Sequence, residues 1–505
     1  MSQLYHLPFY ADDLKPGERL YTSDHASGIQ RFGYDVSGRR LKTNGSWTSV
    51  KADSNSSENR KNSDLVIYGK PVYAIADGEV IAGWRNAPEN PRPKRAGEVG
   101  EGQNRLWLHQ AFRDGLMPGG GNHLWVRHDD GVEVLYAHMK PGTIPAALCP
   151  HTKALFDRPH DGRGRPPETA IPSSNRVRVK KGQFLGRVGN SGKSSGPHLH
   201  FHAKKNRAAH LMRFARGLAT PWNNGMADIN SWERFAGEPI PNGAVLFWPP
   251  HKLHAEYARH GFPADQFQRM FTHLADSGYA PEWIDGYSVA GKTFFNFVWR
   301  PEKTNWRAFF GQSASDYQNR FNQAKADGLA PVHVESYLSA GKVRFAVIFK
   351  AISGQWLAHH HLTFDAHQAI LDQAKADGFS PRNVSVTSKN GSRRYTVLYR
   401  KESIGAWQLK SRLTASAYQD AVDENKIQGR SPIYISAYMH QGEVHFATIF
   451  AEKPMGSWRA RHGMDSAEYQ SEWKDATTNG FITHVVTGYD GAQHHHRYAA
   501  VWRMF

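Results

Sequence analysis

Cysteine is almost missing from this chain: Cys149 is the single thiol among 505 residues. One cysteine excludes an internal disulfide framework and any cysteine-rich zinc site. Long apolar runs are missing too. No stretch approaches the ~18 residues that span a bilayer as a helix, so no transmembrane segment is expected. The opening residues, Met1 to Pro8, lack the basic start and apolar core of a secretory signal. Acidic charge is in deficit, with 46 Asp and Glu against 63 Lys and Arg, a formal net charge of +17. The densest basic stretch, Arg176 to Lys205, would attract an anionic polymer. No nucleic-acid motif accompanies it, so nucleic acid is not expected as a partner.

Histidine, by contrast, is plentiful, and its placement is informative. His198, His200 and His202 alternate with Leu199 and Phe201 directly after a Gly/Ser loop, residues 189–196. Alternation at period two puts the imidazoles on one face of a strand and the apolar pair on the other. Imidazole is both a common zinc ligand and the side chain that titrates near neutrality. Two such groups two residues apart suit one ligand and one proton carrier.

The segments around this strand read as antiparallel β structure. Residues 121–139 form two strand-like runs about an Asp129-Asp130-Gly131 turn, delivering His138 at the far end. Residues 69–82 and 177–189 repeat the strand–turn–strand rhythm. At this length two or more domains are expected.

Four blocks, in order, carry a resemblance to a known family: Gly69-Lys70-Pro71-Val72-Tyr73-Ala74 with Asp77-Gly78-Glu79-Val80; Val134-Leu135-Tyr136-Ala137-His138; Lys181-Gly182-Gln183-Phe184-Leu185-Gly186; and Gly189-Asn190-Ser191-Gly192 with Gly196-Pro197-His198-Leu199-His200-Phe201. Together they resemble the lysostaphin-like zinc endopeptidases, over roughly residues 20–205. The resemblance implies a mainly β N-terminal domain, the duplicated-hybrid-motif sandwich. It further implies a Zn2+ cofactor, with His200 as a ligand and His138 and His198 as the catalytic histidines. It also implies an extracellular or cell-envelope location, with the export route left open.

The chain departs from that pattern at the other ligands. The family places a His and an Asp four residues apart around a Gly; here Arg31-Phe32-Gly33-Tyr34-Asp35 keeps the Gly and the Asp only. Arginine stays protonated and offers no lone pair, so Arg31 is excluded as a ligand. Asp35 is preferred as the carboxylate, with Asp64 as a rival. His25, on the preceding loop, is taken as the third ligand, with His202 as its rival. A degenerate domain that keeps the fold without the metal is the competing reading. Three insertions, residues 37–63, 85–121 and 141–174, read as surface loops.

The second half is a repeat array. Trp306, Trp356, Trp407 and Trp458 recur at steps of 50 or 51, as do Gly278, Gly328, Gly378, Gly429 and Gly480. The spacing predicts five units, at 251–300, 301–350, 351–400, 401–451 and 452–505, an α+β tandem-repeat array of β-α-β-β units. In the second, a strand begins at Trp306, and a helix over 315–327 starts at a Ser/Asp cap and ends at Gly328. Strands follow on either side of Gly341. Trp299, Phe349, Tyr399, Phe450 and Trp502 recur in the last strand and read as core packing. The landmarks resemble the tandem repeats of polyglycine hydrolases, which implies a closed or solenoid-like array used for binding.

The expected organisation is a metallopeptidase domain at 1–207, a connecting segment at 208–250 and five repeats at 251–505. The function expected is zinc-dependent hydrolysis of peptide cross-links in peptidoglycan, or of a glycine-rich peptide, with the repeats as targeting module. A metal-free module binding the cell wall or an envelope protein is the alternative.

Overall fold

The computed structural model describes residues 3–15, 17–25, 27–52, 59–85, 87–95, 118–150, 169–223, 226–227, 232–241, 245–252, 256–302, 304–454 and 456–504. It divides into two compact units, Met1–Lys252 and Leu253–Phe505. The fold is mostly β.

The first unit is built on a 13-stranded sheet and a two-stranded sheet. Six neighbouring strands of the large sheet run in the order Glu18–Asp24, Tyr34–Leu41, Leu199–Lys205, Glu133–Met139, Asn122–His128 and Gly78–Trp84. Each of these pairings is antiparallel. Pro71–Tyr73 pairs with Phe184–Arg187 to make the small sheet. Val36, Leu124, Val126, Tyr136, Leu199 and Phe201 are fully buried and form the centre of the core. The apolar alternation Leu199/Phe201 thus faces inward as its period required.

Two expectations change here. The described residues of 208–250 are not a free connection, because their strands pair into the first unit's sheet. Ala208–His210 pairs with the Leu199 strand, and Val245–Trp248 pairs with Glu18–Asp24, Leu20 opposite Phe247. Phe214, Leu218, Ile240 and Phe247 are buried there, so the Pro/Gly punctuation marks turns between strands. The insertion at 37–63 is likewise strand at its start. Tyr34–Leu41 runs on through Ser37, and Trp47–Thr48 pairs back onto Arg40 and Leu41. The centres of all three insertions, residues 53–58, 96–117 and 151–168, lie outside the described residues.

In the second unit the β-α-β-β unit appears five times. In the second repeat it comprises Trp306–Gln312, the helix Ala314–Ala326, Ala330–Ser339 and Lys342–Lys350, with the last strand central in its sheet. Four helices start at a side-chain cap from Ser313, Thr363, Thr414 or Asp465. The glycines at 278, 328, 378, 429 and 480 all have positive φ, between 72° and 89°, the left-handed conformation that ends a helix and that a side chain resists. Trp299, Phe349, Tyr399, Phe450 and Trp502 are buried against strands and helices.

The array is closed. The strands Tyr279–Val289, Ala330–Ser339, Ser380–Lys389, Ser431–His440 and Ile482–Asp490 pack side by side, and the last returns to the first. Trp283 Nε1 donates to Val486 O at 2.7 Å, and Thr487 Oγ1 and Gly488 N donate to Asp285 at 2.9 and 3.0 Å across that closure. Glycine serves close approach here: a Cβ on Gly286 would sit 2.6 Å from the Tyr337 ring, and one on Gly488 2.5 Å from the Tyr287 ring.

Candidate metal and catalytic site

Strand order brings the histidines together. The Leu199–Lys205 strand lies between Tyr34–Leu41 and Glu133–Met139, and His200 is directly opposite Asp35 on one side and Ala137 on the other. His138 follows Ala137, and its φ of 63° is left-handed. Such a backbone costs about 1–2 kcal/mol outside glycine and is a feature of functional sites. His25 arrives from beyond the end of Glu18–Asp24, where its N–H donates to Gly33 O at 3.1 Å. The short 3-10 turn Gly28–Gln30 folds the chain back between them. Arg31, at the end of that turn, is exposed, with its guanidinium over the Phe32 ring.

Three donor atoms converge. His25 Nε2 lies 3.0 Å from Asp35 Oδ1, His200 Nδ1 lies 2.8 Å from the same oxygen, and the two ring nitrogens are 3.1 Å apart. Among the described residues, these are the ones whose donors lie close enough together to hold one metal ion. Four-coordinate zinc with bonds of ~2.0–2.1 Å has donors roughly 3.3 Å apart, so the spacing fits. The chemistry fits as well. Ring N–H groups donating to Asp35 hold the two ring nitrogens and the carboxylate oxygen at this range, and a cation would take the place of those protons. His25 and Asp35 are each 31% exposed and His200 only 6%, so the cluster is open on one side.

Burial sets the charge states. It lowers the His200 pKa and, with His198 and His200 nearby, pushes His138 well below the ordinary range. At Asp35 burial works upward, but hydrogen bonds from His200 and His25 prevail and hold the carboxyl below the usual carboxylate range. His25 is raised by its hydrogen bond to Asp35. Near neutral pH the carboxylate is ionised and the buried rings are neutral with lone pairs available.

His138 and His198 are placed alike. His138 Nδ1–H donates to Ser191 O and His198 Nδ1–H to Gly196 O, each at 2.8 Å. Each ring therefore keeps its Nε2 lone pair free. His198 Nε2 is 3.5 Å from Asp35 Oδ1, and the His138 and His198 ring centroids are 4.7 Å apart. The Gly/Ser loop supplies both acceptors and is locked in place. Ser191 Oγ donates to Met139 O at 2.7 Å and accepts from Asn122 N at 2.9 Å. A Cβ on Gly192 would sit 2.3 Å from Gly121 N.

The two rivals fall elsewhere. Asp64 takes the Lys61 N–H at 2.9 Å and closes a short turn. His202 does not join the triangle; its Nδ1 is 2.8 Å from His200 Nε2. With an ion on His200 Nδ1, its Nε2–H would donate to His202 and orient the ring. Burial pushes the His202 pKa down to about 3, which keeps it a neutral acceptor. Trp125 packs against it nearly perpendicular at 5.3 Å. Sequence reasoning missed this role, although period two had placed both rings on one face. The basic stretch is also less bare than its composition suggests. Arg176, Arg178, Lys180 and Lys204 pair with Glu79, Asp129, Asp77 and Glu133.

Comparison with known proteins places this geometry. Residues 171–211, which hold His198 and His200, match peptidase family M23. Residues 254–302, 303–351, 353–402, 404–453 and 456–503 each match the polyglycine hydrolase-like structural repeat. The first match supports a peptidase, and the second gives five repeats of one kind along the second unit. Among solved structures it is similar to the catalytic domain of the antimicrobial peptidase lysostaphin from Staphylococcus simulans (18% identity, 43% of this chain and 90% of that one, TM-score 0.17). Others are lysostaphin itself (13%, 68% and 92%, TM-score 0.19) and a zinc-containing peptidase from Vibrio cholerae (15%, 35% and 48%, TM-score 0.14). No curated protein matches.

Proposed function

We propose that the first unit is a zinc-dependent endopeptidase acting on peptide cross-links of peptidoglycan or on a glycine-rich peptide outside the cell, with the repeat ring as its binding module. The observation that carries this reading is the His25–Asp35–His200 triangle with two further histidines, His138 and His198, beside it. His25, Asp35 and His200 would hold the ion. Zinc bound there supplies Lewis acidity, polarising a peptide carbonyl and acidifying water.

The two remaining histidines handle the protons. A free Nε2 on His198 or His138 takes the proton of the attacking water as a general base. Once protonated, that ring donates to the developing oxyanion and then supplies the proton the leaving amine requires. The carbonyl groups of Ser191 and Gly196 keep both Nδ1–H groups engaged, so neither ring turns away during the cycle. The site opens where His25 and Asp35 are exposed, which gives an extended peptide access.

The test is hydrolysis of a soluble glycine-rich peptide by the full chain, with and without a chelator. Chelator-sensitive cleavage restored by zinc supports the proposal. A chain that holds zinc and cleaves neither this peptide nor peptidoglycan would instead be a binding module.

A further inference from the structure

Closure of the ring leaves a cavity of about 930 Å³ at one end of its axis, with residues from all five repeats lining it. Each of the five inner strands carries a bulge at the same place, just after Pro281, Pro331, Pro381, Pro432 or Thr483. The inserted residues are Glu282, Val332, Arg382, Ile433 and His484, and all five line the cavity. Bulges re-aim side chains and are common beside functional sites. The scaffold positions of this array stay alike, with tryptophan at 306, 356, 407 and 458. The five cavity positions differ in charge, size and polarity. A lining varied on a uniform scaffold suits one asymmetric ligand.

The lining also states what that ligand carries. Arg300, Arg382, Arg400 and Lys453 stand against two carboxylates, Glu282 and Glu402. Both carboxylates are already taken: Lys350 and Arg300 pair with Glu282, and Arg382 and Arg400 pair with Glu402. Four cations against two carboxylates leave the lining net positive, with Arg300 also shared with Glu256 outside it. One buried acceptor is also unspent. His333 Nε2–H donates to Ile284 O at 2.7 Å, so its Nδ1 accepts from Asn383 Nδ2 at 3.1 Å. That chain fixes the Asn383 amide, and its buried Oδ1 is left without a partner. Asn383 is 2% exposed, and a buried polar atom left unpaired costs stability until something donates to it.

We infer that this axial cavity binds the carboxylate end of a peptide, with the carboxylate held by the Arg382–Arg400–Lys453 side and a peptide N–H donating to Asn383 Oδ1. A cavity of this size is in the range of small-ligand sites, ~300–1,000 Å³. On the reading of the first unit as a peptidase, the ring would bind what hydrolysis makes, because every cleaved peptide bond yields a new carboxylate end.

The test is calorimetric titration of the full chain carrying His198→Ala, so that the probe is not consumed, with N-acetyl-triglycine and its C-terminal amide. The acid is expected to bind at least tenfold tighter than the amide. The double substitution Arg382→Gln, Lys453→Gln, at one half-exposed and one exposed position, should abolish the difference without lowering the melting temperature. Equal binding of acid and amide overturns the inference. So does binding of the acid that the double variant leaves intact, which assigns it to the first unit. Inorganic phosphate displacing the acid at equal concentration also overturns it, in favour of a phosphate polymer. In the wild-type background the same two substitutions leave cleavage of a soluble peptide unchanged, so this outcome and that of the peptidase reading are scored separately.

Discussion

At the residue scale, the proposed mechanism separates donors that would hold an ion from rings that would move protons, and substitutions should divide along that line. His138→Ala and His198→Ala each remove a general acid–base, an effect of roughly 10²–10⁴ in rate. Both are expected to keep bound zinc, measured on the same samples; loss of zinc would make that histidine a ligand. His202→Ala is expected to weaken zinc affinity roughly 10–100-fold, the usual cost of losing the partner that orients a ligand. A competition titration against a chromogenic chelator reads this directly, and unchanged affinity would show that the His200–His202 hydrogen bond is idle. Strand periodicity placed His198 and His200 on one face, the family resemblance pointed to His138, and the structure brings the three rings together. His25 was legible only as the nearest histidine before Asp35. What closes the triangle is the turn Gly28–Gln30, and no local pattern announces how far a loop folds back. His202 was weighed only as a rival to His25, and its contact with His200 was not read because spacing along a strand does not say which ring nitrogen faces which neighbour.

At the scale of elements, the repeats were read almost completely from their landmarks. The helix expected over 315–327 is found at Ala314–Ala326, and the turn expected at Gly341 joins two strands. Caps, positive-φ glycines and aromatic spacing are local signals, and five copies reinforce them. The residues at 208–250 were misread because Pro and Gly punctuate hairpins and linkers alike. Only long-range pairing, Val245–Trp248 against Glu18–Asp24, distinguishes the two. The glycines that end the helices invite a measurement. At Gly328 an added Cβ meets nothing within 4 Å, so Gly328→Ala isolates the backbone cost, about 1–2 kcal/mol. Denaturant titration should show that loss, and a neutral result would mean the turn relaxes. Gly286→Ala tests close packing instead, because its backbone is not left-handed and the added Cβ would force the Tyr337 ring to move.

At the scale of the whole molecule, the ring closes over buried carboxyl groups. Burial pushes Asp285 up to about 7 and Glu335 well above the usual carboxylate range, the two lying near enough to act on each other. In the unfolded chain both are ionised above about pH 5. The folded ring therefore binds more protons than the unfolded chain, and its stability falls as pH rises. Buried histidines such as His333, lowered to about 4, act in the opposite direction, but only below their unfolded value of about 6.5. The decline for Asp285 therefore begins at about pH 5 and is complete by about pH 7, set against the histidine effect over the same range. Glu335→Gln should flatten the fall of stability in denaturant titrations across that window, and an unchanged slope would remove these groups from the account. The central claim is that the first unit holds one zinc ion through His25, a residue that replaces a ligand the chain lacks at Arg31. Metal analysis of the full chain after dialysis against trace zinc tests it most directly. The account predicts about one zinc per wild-type chain and per Arg31→Ala chain, and almost none in His25→Ala. A wild-type chain without zinc, or a His25→Ala chain that keeps it, would contradict the account.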